Sequence, residues 1–245
     1  MELKINKKYI HSVEDFKKVM LEENKDIDLN KEDEKIIYEN VILIKNYLLS
    51  KDINDILNLG LFKYSLPKLI KMNLTANNIE TIPDIFKSLK ELKILILNNN
   101  KIEKITNLEN LTKLEILELR GNKINKVEGL NNLTNLTKLT LSCNLITNIE
   151  ENDFPKIDSL LEFGIFGNYL GIENREFDEK INDENIKKLT NFIQMINIKF
   201  NNLKSLYIGG NFFTNLNETK DNDTKGNYKD IIKSIIPNII IDGQN

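Results

Sequence analysis

Residues that commonly carry catalytic or metal chemistry are scarce in this chain of 245 residues. It has one histidine, His11, and one cysteine, Cys143, which are far apart in the sequence. A metal site or a nucleophile–base pair needs several such groups at fixed spacing. The sequence also lacks a glycine-rich phosphate-binding motif and a paired-carboxylate signature. We therefore expect no enzyme activity, no cofactor and no metal, and we interpret Cys143 as a small packing residue.

The polar residue that does recur at a fixed spacing is asparagine. Each copy follows the same apolar pattern, and the six copies are Asn77, Asn100, Asn122, Asn144, Asn168 and Asn211. The steps between them are 23, 22, 22 and 24 residues, and the last step is 43. A side-chain amide both donates and accepts hydrogen bonds, so it can satisfy backbone groups where each repeat turns. We predict that these residues form a structural ladder.

The pattern around each asparagine is L-x-x-L-x-L-x-x-N-x-L/I, which is the signature of a leucine-rich repeat. A clear copy is Leu136-Thr-Lys-Leu139-Thr-Leu141-Ser-Cys-Asn144-Leu-Ile146. Counting from the first leucine, positions four and six point to one side of a short strand, and positions three, five and seven point to the other. A single unit cannot bury its own apolar side, so the units must stack.

The sequence predicts an α/β solenoid, a leucine-rich-repeat horseshoe with a parallel concave sheet. Residues 1–64 are predicted to form an N-terminal helical cap, residues 65–213 six repeats, and residues 214–245 a C-terminal cap with a helix. Apolar residues at every third or fourth position between the signature segments indicate short 3₁₀-like turns on the convex side. For the 43-residue step we predict a convex helix at about 183–200. The alternative there is a degenerate hidden repeat.

The repeats and the ending together resemble the 22-residue leucine-rich class typified by the phosphatase-regulator family. That class ends in a cap that reads Tyr-Arg, an apolar helix, Leu-Pro and then Leu-Asp-Gly. Here the matching residues are Tyr228-Lys229, Ile236-Pro237 and Ile241-Asp242-Gly243, with Lys in place of Arg and Ile in place of Leu. The resemblance covers about residues 66–243, and it implies a non-catalytic protein whose concave sheet holds another protein.

The outward strand positions supply a candidate binding face. Three isoleucines are predicted to lie side by side there, on a surface that faces water, and aromatic residues follow in later repeats. Interface centres favour apolar and aromatic residues beside an arginine. The predicted partner-binding residues are Ile94, Ile96, Ile116, Glu118, Arg120, Lys138, Phe166 and Tyr207. Two alternatives are that β-branched residues simply suit a strand, or that the terminal caps cover them.

Composition narrows the function classes. With 34 Lys and Arg against 37 Asp and Glu, the net charge of −3 disfavours a dedicated nucleic-acid binder. One cysteine, a start without a signal-peptide core and the absence of a membrane-length apolar run favour an intracellular protein, cytoplasmic or alternatively nuclear. We expect a monomer that binds a partner protein and no membrane, as a non-catalytic adaptor. The alternatives are a regulatory subunit of a phosphatase or other enzyme and, more weakly, a ribonucleoprotein assembly factor.

Overall fold

A single parallel sheet organises the chain. The structure, a computed structural model, describes residues 2–4, 41–43, 70–171, 183–214 and 228–243. Its nine strands lie in chain order and every neighbouring pair is parallel. They are β1 (Glu2–Lys4), β2 (Val41–Leu43), β3 (Lys71–Asn73), β4 (Ile94–Ile96), β5 (Ile116–Glu118), β6 (Lys138–Thr140), β7 (Glu162–Gly164), β8 (Ser205–Tyr207) and β9 (Ile240–Ile241). This arrangement is the predicted solenoid.

The core is a stack of identical layers because the strands pair without any shift in register. The central residue of each strand pairs with the central residue of the next, as in Leu95 with Leu117 and Leu117 with Leu139. These side chains point inward and are completely buried, since alternate strand residues face opposite sides. Position six, such as Leu119 and Leu141, adds a second buried column.

On the convex side the chain returns through short turns. A 3₁₀ helix spans Asp84–Ser88 and another spans Glu151–Asp153. In the repeats between them, backbone hydrogen bonds between residues three apart close the turns. The amide of Leu111 donates to the carbonyl of Leu108, and the amide of Leu133 donates to the carbonyl of Leu130. All four leucines are buried. The spacing of three or four therefore corresponds to 3₁₀-like turns, as the sequence predicted.

The long step between the fifth and sixth repeats contains helix α1 (Asp183–Lys199). Its apolar side packs into the core through Leu189, Ile193 and Ile196, which are completely buried. Strand β7 pairs directly with β8, so the hidden repeat considered from the sequence is excluded. Where the step begins, Phe154, Phe163 and Phe200 form a cluster of edge-to-face rings with centroids 5.3–5.5 Å apart.

The prediction of an N-terminal helical cap is wrong at two places. Glu2–Lys4 and Val41–Leu43 are strands that extend the sheet beyond β3. An open sheet edge pairs readily with another strand. Val41–Leu43 consists of three apolar residues, two of them β-branched, and these suit a strand as well as a helix. The rest of residues 1–64, including His11, lies outside the described residues, as do residues 172–182 and 215–227.

At the other end, helix α2 (Tyr228–Ile235) packs against α1, and β9 pairs with β8. The Asp242 carboxylate accepts hydrogen bonds from the amides of Ile208 (2.8 Å) and Gly209 (3.0 Å). The Tyr228 hydroxyl donates to the same carboxylate at 2.7 Å. Burial, together with this bond to a carboxylate, raises the pKa of Tyr228 above its usual range. The edge of the last repeat is thereby covered, which protects it from pairing with other chains.

Candidate partner-binding face

The asparagine ladder fixes the strands that carry the candidate face. The Asn122 amide group donates to the carbonyls of Leu97 and Leu119, both at 3.0 Å, and its oxygen accepts from the amide of Ile102 at 3.0 Å. Each asparagine from the second repeat onward binds its own coil and the preceding coil in this way. The long step preserves the pattern, since Asn211 binds Leu170 (3.2 Å) and Ile165 (3.0 Å) across it. The ladder is therefore structural, and its hydrogen bonds keep successive strands in register.

Three isoleucines meet on the outward side of β4 and β5. Ile94 pairs in register with Ile116, and Ile96 lies two residues farther along β4, on the same side of the sheet. All three are half-buried, whereas the residues between them along each strand, such as Leu95 and Leu117, are completely buried. Each isoleucine thus keeps part of its surface exposed beside the described residues. The alternative that the terminal caps cover them concerns an N-terminal segment that lies largely outside the described residues.

A charged network borders the isoleucines on one side. The Lys138 ammonium lies 3.2 Å from the Glu118 carboxylate and 3.3 Å from that of Glu162, on the two neighbouring strands. Asn98 donates to the other oxygen of Glu118 at 2.8 Å. Desolvation lowers the pKa of Lys138, but hydrogen bonds and charge attraction from the two carboxylates outweigh it, so the pKa is raised. Lys138 therefore keeps its positive charge at neutral pH, and this part of the border is a preorganised network of one ammonium between two carboxylates.

Arg120 completes the border. Its side chain is exposed and forms no ion pair within the described part of the chain, while its backbone amide donates to the side chain of Asn98 at 2.8 Å. The backbone of Arg120 is thus fixed, while its guanidinium group is exposed. An exposed guanidinium can form a bidentate contact with a carboxylate. Arg120 is thus the border residue best placed to contact an acidic group.

The predicted aromatic residues lie farther along the same face. Phe166 is 43% exposed and its ring lies over Gly209 and Gly210, where added Cβ atoms would come within about 3.5 Å of it. Tyr207 is half-buried and pairs in register with Gly164. Neighbouring strands are about 4.8 Å apart, and this pair lies two to three such spacings from Ile116. The structure therefore places the eight predicted residues on one face, but in two groups rather than one patch.

Sequence reasoning missed a column of left-handed backbone at repeat position eight. The residue before each ladder asparagine has a positive φ in all six repeats: Ala76 (59°), Asn99 (55°), Gly121 (69°), Cys143 (57°), Gly167 (65°) and Gly210 (68°). The signal was visible in the sequence, since three glycines and an asparagine tolerate this conformation well. It gives Cys143 a place in a turn, where the residue is part-buried.

Other kinds of site receive no support from the described residues. They contain no group of three or more His, Cys, Asp or Glu side chains placed to hold a metal ion. A cleft of about 670 Å³ lies between α1 and residues 147–151, bordered by Lys188, Phe192 and Met195. It is on the convex side and includes none of the predicted binding residues. Within the same described ranges, no helix has the length and apolar character to cross a membrane.

Comparison with protein families decides the nature of the repeats. A leucine-rich-repeat model matches residues 67–124, and a second model, of two such repeats, matches residues 112–156. The chain contains leucine-rich repeats. None of the curated proteins matches it.

Solved leucine-rich-repeat structures share the fold. A leucine-rich-repeat protein from Leptospira interrogans is 22% identical with a TM-score of 0.54, over 82% of this chain and 48% of that one. Internalin C2 from Listeria monocytogenes is 18% identical with a TM-score of 0.51, over 70% of this chain and 62% of that one. The chain spans about half the length of the first protein and under two thirds of the second. These likenesses establish the leucine-rich-repeat fold and leave the partner open.

Proposed function

We propose that this chain is a non-catalytic module that binds a partner protein on the concave face of its sheet. The observation that carries the proposal is the cluster of Ile94, Ile96 and Ile116, half-exposed on strands whose inward residues are completely buried. Apolar side chains left together at a surface typically mark an interaction site. The cytoplasmic location and the monomeric state stay predictions from the sequence.

The electrostatic surroundings fit an interface more closely than a bare strand surface. Lys138 is held between two carboxylates, so the border beside Ile116 is ordered before any partner arrives. Preorganised side chains lose less conformational entropy on binding. The exposed Arg120 follows on the next outward position after Glu118, and arginine is a frequent energetic centre of interfaces.

The test compares two double variants with the same chemical change. Ile96→Lys/Ile116→Lys places charge on the candidate face, and Leu161→Lys/Ile198→Lys does so at apolar residues that are 38% and 65% exposed elsewhere. A tagged wild-type chain is used to capture and identify a partner, whose dissociation constant is then measured with each variant. Loss of central apolar contacts should weaken binding by at least about tenfold for the first variant. The second variant should bind as the wild type does.

Thermal melting of both variants accompanies the binding measurement, because a misfolded protein also loses its partner. Unchanged melting with retained affinity in Ile96→Lys/Ile116→Lys would place the interface elsewhere. The partner's identity then separates the candidate functions. Co-purification of a phosphatase catalytic subunit whose activity changes on binding would favour the regulatory subunit that the resemblance to the phosphatase-regulator class suggests. Binding of RNA that weakens steeply with salt would favour the ribonucleoprotein alternative.

A further inference from the structure

A second surface lies at the turns that follow the strands. Repeat position ten, just after each ladder asparagine, is stacked from coil to coil by backbone hydrogen bonds. The amide of Lys123 donates to Ile102 (2.9 Å), that of Leu145 to Ile124 (2.8 Å) and that of Tyr169 to Ile146 (2.8 Å). Lys101, Lys123, Leu145 and Tyr169 therefore occupy one column on four successive coils.

The last two residues of this column are exposed and apolar. Leu145 is 43% exposed, Tyr169 is 46% exposed, and Phe166, before the same turn as Tyr169, is 43% exposed. The described residues include two other large hydrophobic side chains with comparable exposure, Leu161 and Ile198. Three of these five side chains thus lie at adjoining turns, whereas exposed apolar residues on an ordinary surface are scattered singly.

The first two residues of the column are cations that have no ion-pair partner among the described residues. Lys101 and Lys123 are exposed, as is Arg120 before the second turn, and none of them forms an ion pair within the described ranges. At the opposite ends of the strands, by contrast, charges pair across coils: Lys93 with Glu115 at 2.7 Å and Lys113 with Glu91 at 2.6 Å. The cations at the turns are therefore left available for a ligand that brings its own negative charge.

We infer that these turns form a second docking surface, which binds an acidic segment of a partner protein that continues into apolar residues. The turn surface consists of Lys101, Arg120, Lys123, Leu145, Phe166 and Tyr169. The carboxylates would lie on the cationic coils, and the apolar side chains on Leu145, Phe166 and Tyr169. Arg120 and Phe166 also border the concave face, whereas the four residues of the column do not belong to it.

The column also sets the length of the ligand. Three coil steps of about 4.8 Å separate Lys101 from Tyr169, and an extended peptide advances about 3.3 Å per residue. A segment that crosses the column therefore needs on the order of five residues, with its acidic and apolar residues in separate blocks. Single-stranded nucleic acid fits less well, because it favours aromatic platforms within a continuous cationic groove. Here the cations and the aromatic rings lie on different coils, in a chain of net charge −3.

The experiment uses the full chain and fluorescence anisotropy. The probe is a labelled peptide, Gly-Asp-Glu-Glu-Leu-Phe-Leu-Gly, and the comparison probes are a peptide of the same composition with alternating acidic and apolar residues and a short oligodeoxythymidine. The block peptide should bind most tightly, and its affinity should fall as salt is raised. Either half of the surface is then removed separately, by Lys101→Glu/Lys123→Glu or by Leu145→Ser/Tyr169→Ser.

Each of these variants should weaken binding of the block peptide by at least about tenfold. The matched control is Lys90→Glu/Lys204→Glu, which makes the same charge change at two exposed lysines outside the column and should leave binding unchanged. The concave variant Ile96→Lys/Ile116→Lys should also retain peptide binding, so failure of one proposal is distinguishable from failure of the other. Melting curves confirm that each variant is folded.

Three outcomes would overturn the inference. The first is peptide binding that neither column variant changes, or no peptide binding at all. The second is tighter binding of the oligonucleotide that the lysine variant removes. The third concerns the sequence from Glu22 to Glu34, which holds seven acidic residues. Peptide binding that emerges only after these seven are replaced by their amides would assign the surface to this chain's own segment.

Discussion

The two sides of the same strands follow different rules. The inward central column reads Met72, Leu95, Leu117, Leu139, Phe163 and Leu206, and every member is completely buried. The outward column beside it reads Lys71, Ile94, Ile116, Lys138, Glu162 and Ser205, with exposure at every position. Stacking forces each coil to repeat the same inward residue type, whereas it imposes nothing on the outward residues. The outward residues can therefore differ from repeat to repeat, as the recognition of one particular partner requires.

The largest effect should come from the inward column. Leu117→Ala removes a completely buried side chain between two identical layers, and it should lower the free energy of unfolding by about 2–5 kcal/mol. Urea denaturation monitored by circular dichroism measures the loss. Arg120→Ala, in the same coil but exposed, should change stability by less than about 0.5 kcal/mol. Equal effects at the two positions would break the distinction between the two sides.

The ladder should rank next. Asn122→Ala leaves the amide of Ile102 and the carbonyls of Leu97 and Leu119 without their side-chain partner in a buried place, which should cost about 1–3 kcal/mol. Asn125→Ala makes the same change at an exposed residue of the following turn, and its effect should stay within about 0.5 kcal/mol. The same urea titration compares them, and a neutral Asn122→Ala would remove the ladder from the explanation of the fold.

The left-handed column allows changes of opposite sign. In Gly121→Ala a Cβ is added at φ 69°, 2.5 Å from the side-chain oxygen of Asn99, and stability should fall by about 1–2 kcal/mol. Ala76→Gly relieves the same conformation at φ 59°, and should raise stability by up to about 1 kcal/mol. Melting temperatures should shift in opposite directions. A shift in the same direction would mean that packing, not backbone strain, governs these turns.

The smallest effect should come from the outward charges. Lys138→Met removes two partly exposed ion pairs, each worth about 0.2–1 kcal/mol. Because the pKa of Lys138 is raised in the folded state, this stabilisation is fully present below the unfolded value of about 10.4 and is lost as pH rises through the higher folded value. The difference in stability between wild type and Lys138→Met should therefore shrink above pH 10.4, and also in high salt.

A matched variant sharpens that last comparison. Lys156→Met breaks a more exposed pair, in which Lys156 lies 3.1 Å from Asp158, and it should have no measurable effect at either pH. Identical pH profiles for the two variants would show that the border of the concave face is not preorganised.

Much of the fold was predictable because the same residue type recurs at the same position in several repeats. The six asparagines, the inward leucines and the convex helix all follow from periodicity, and periodicity is visible in a single sequence. The N-terminal strand Val41–Leu43 was not predictable, since its apolar residues fit a helical face equally well and its sheet partner, β3, lies almost thirty residues later. The conformation of such a segment depends on neighbours that are distant in the sequence.

Which residues point outward on the sheet was predictable, and so was their order along it, but the column at the turns was not. Alternation along each strand determined which residues point outward, so Ile94 and Ile116 could be paired without coordinates. The separation of Phe166 from the isoleucines depends on the number of strands between them, which the sequence also implied. The stacking of Leu145 and Tyr169 with lysines of earlier coils was harder to see, because position ten lies in a turn with no strand periodicity.

One measurement tests the central claim most directly, namely that a partner covers the outward isoleucines. A photoreactive amino acid is placed at Ile116 in one variant and at Asn131, exposed on the convex side, in another. After irradiation in extracts of the native cells, crosslinked peptides are identified by mass spectrometry. We predict that one partner protein crosslinks at Ile116 and not at Asn131. A crosslink from Ile116 to residues of this same chain, or the same partner captured equally at Asn131, would contradict the proposed function.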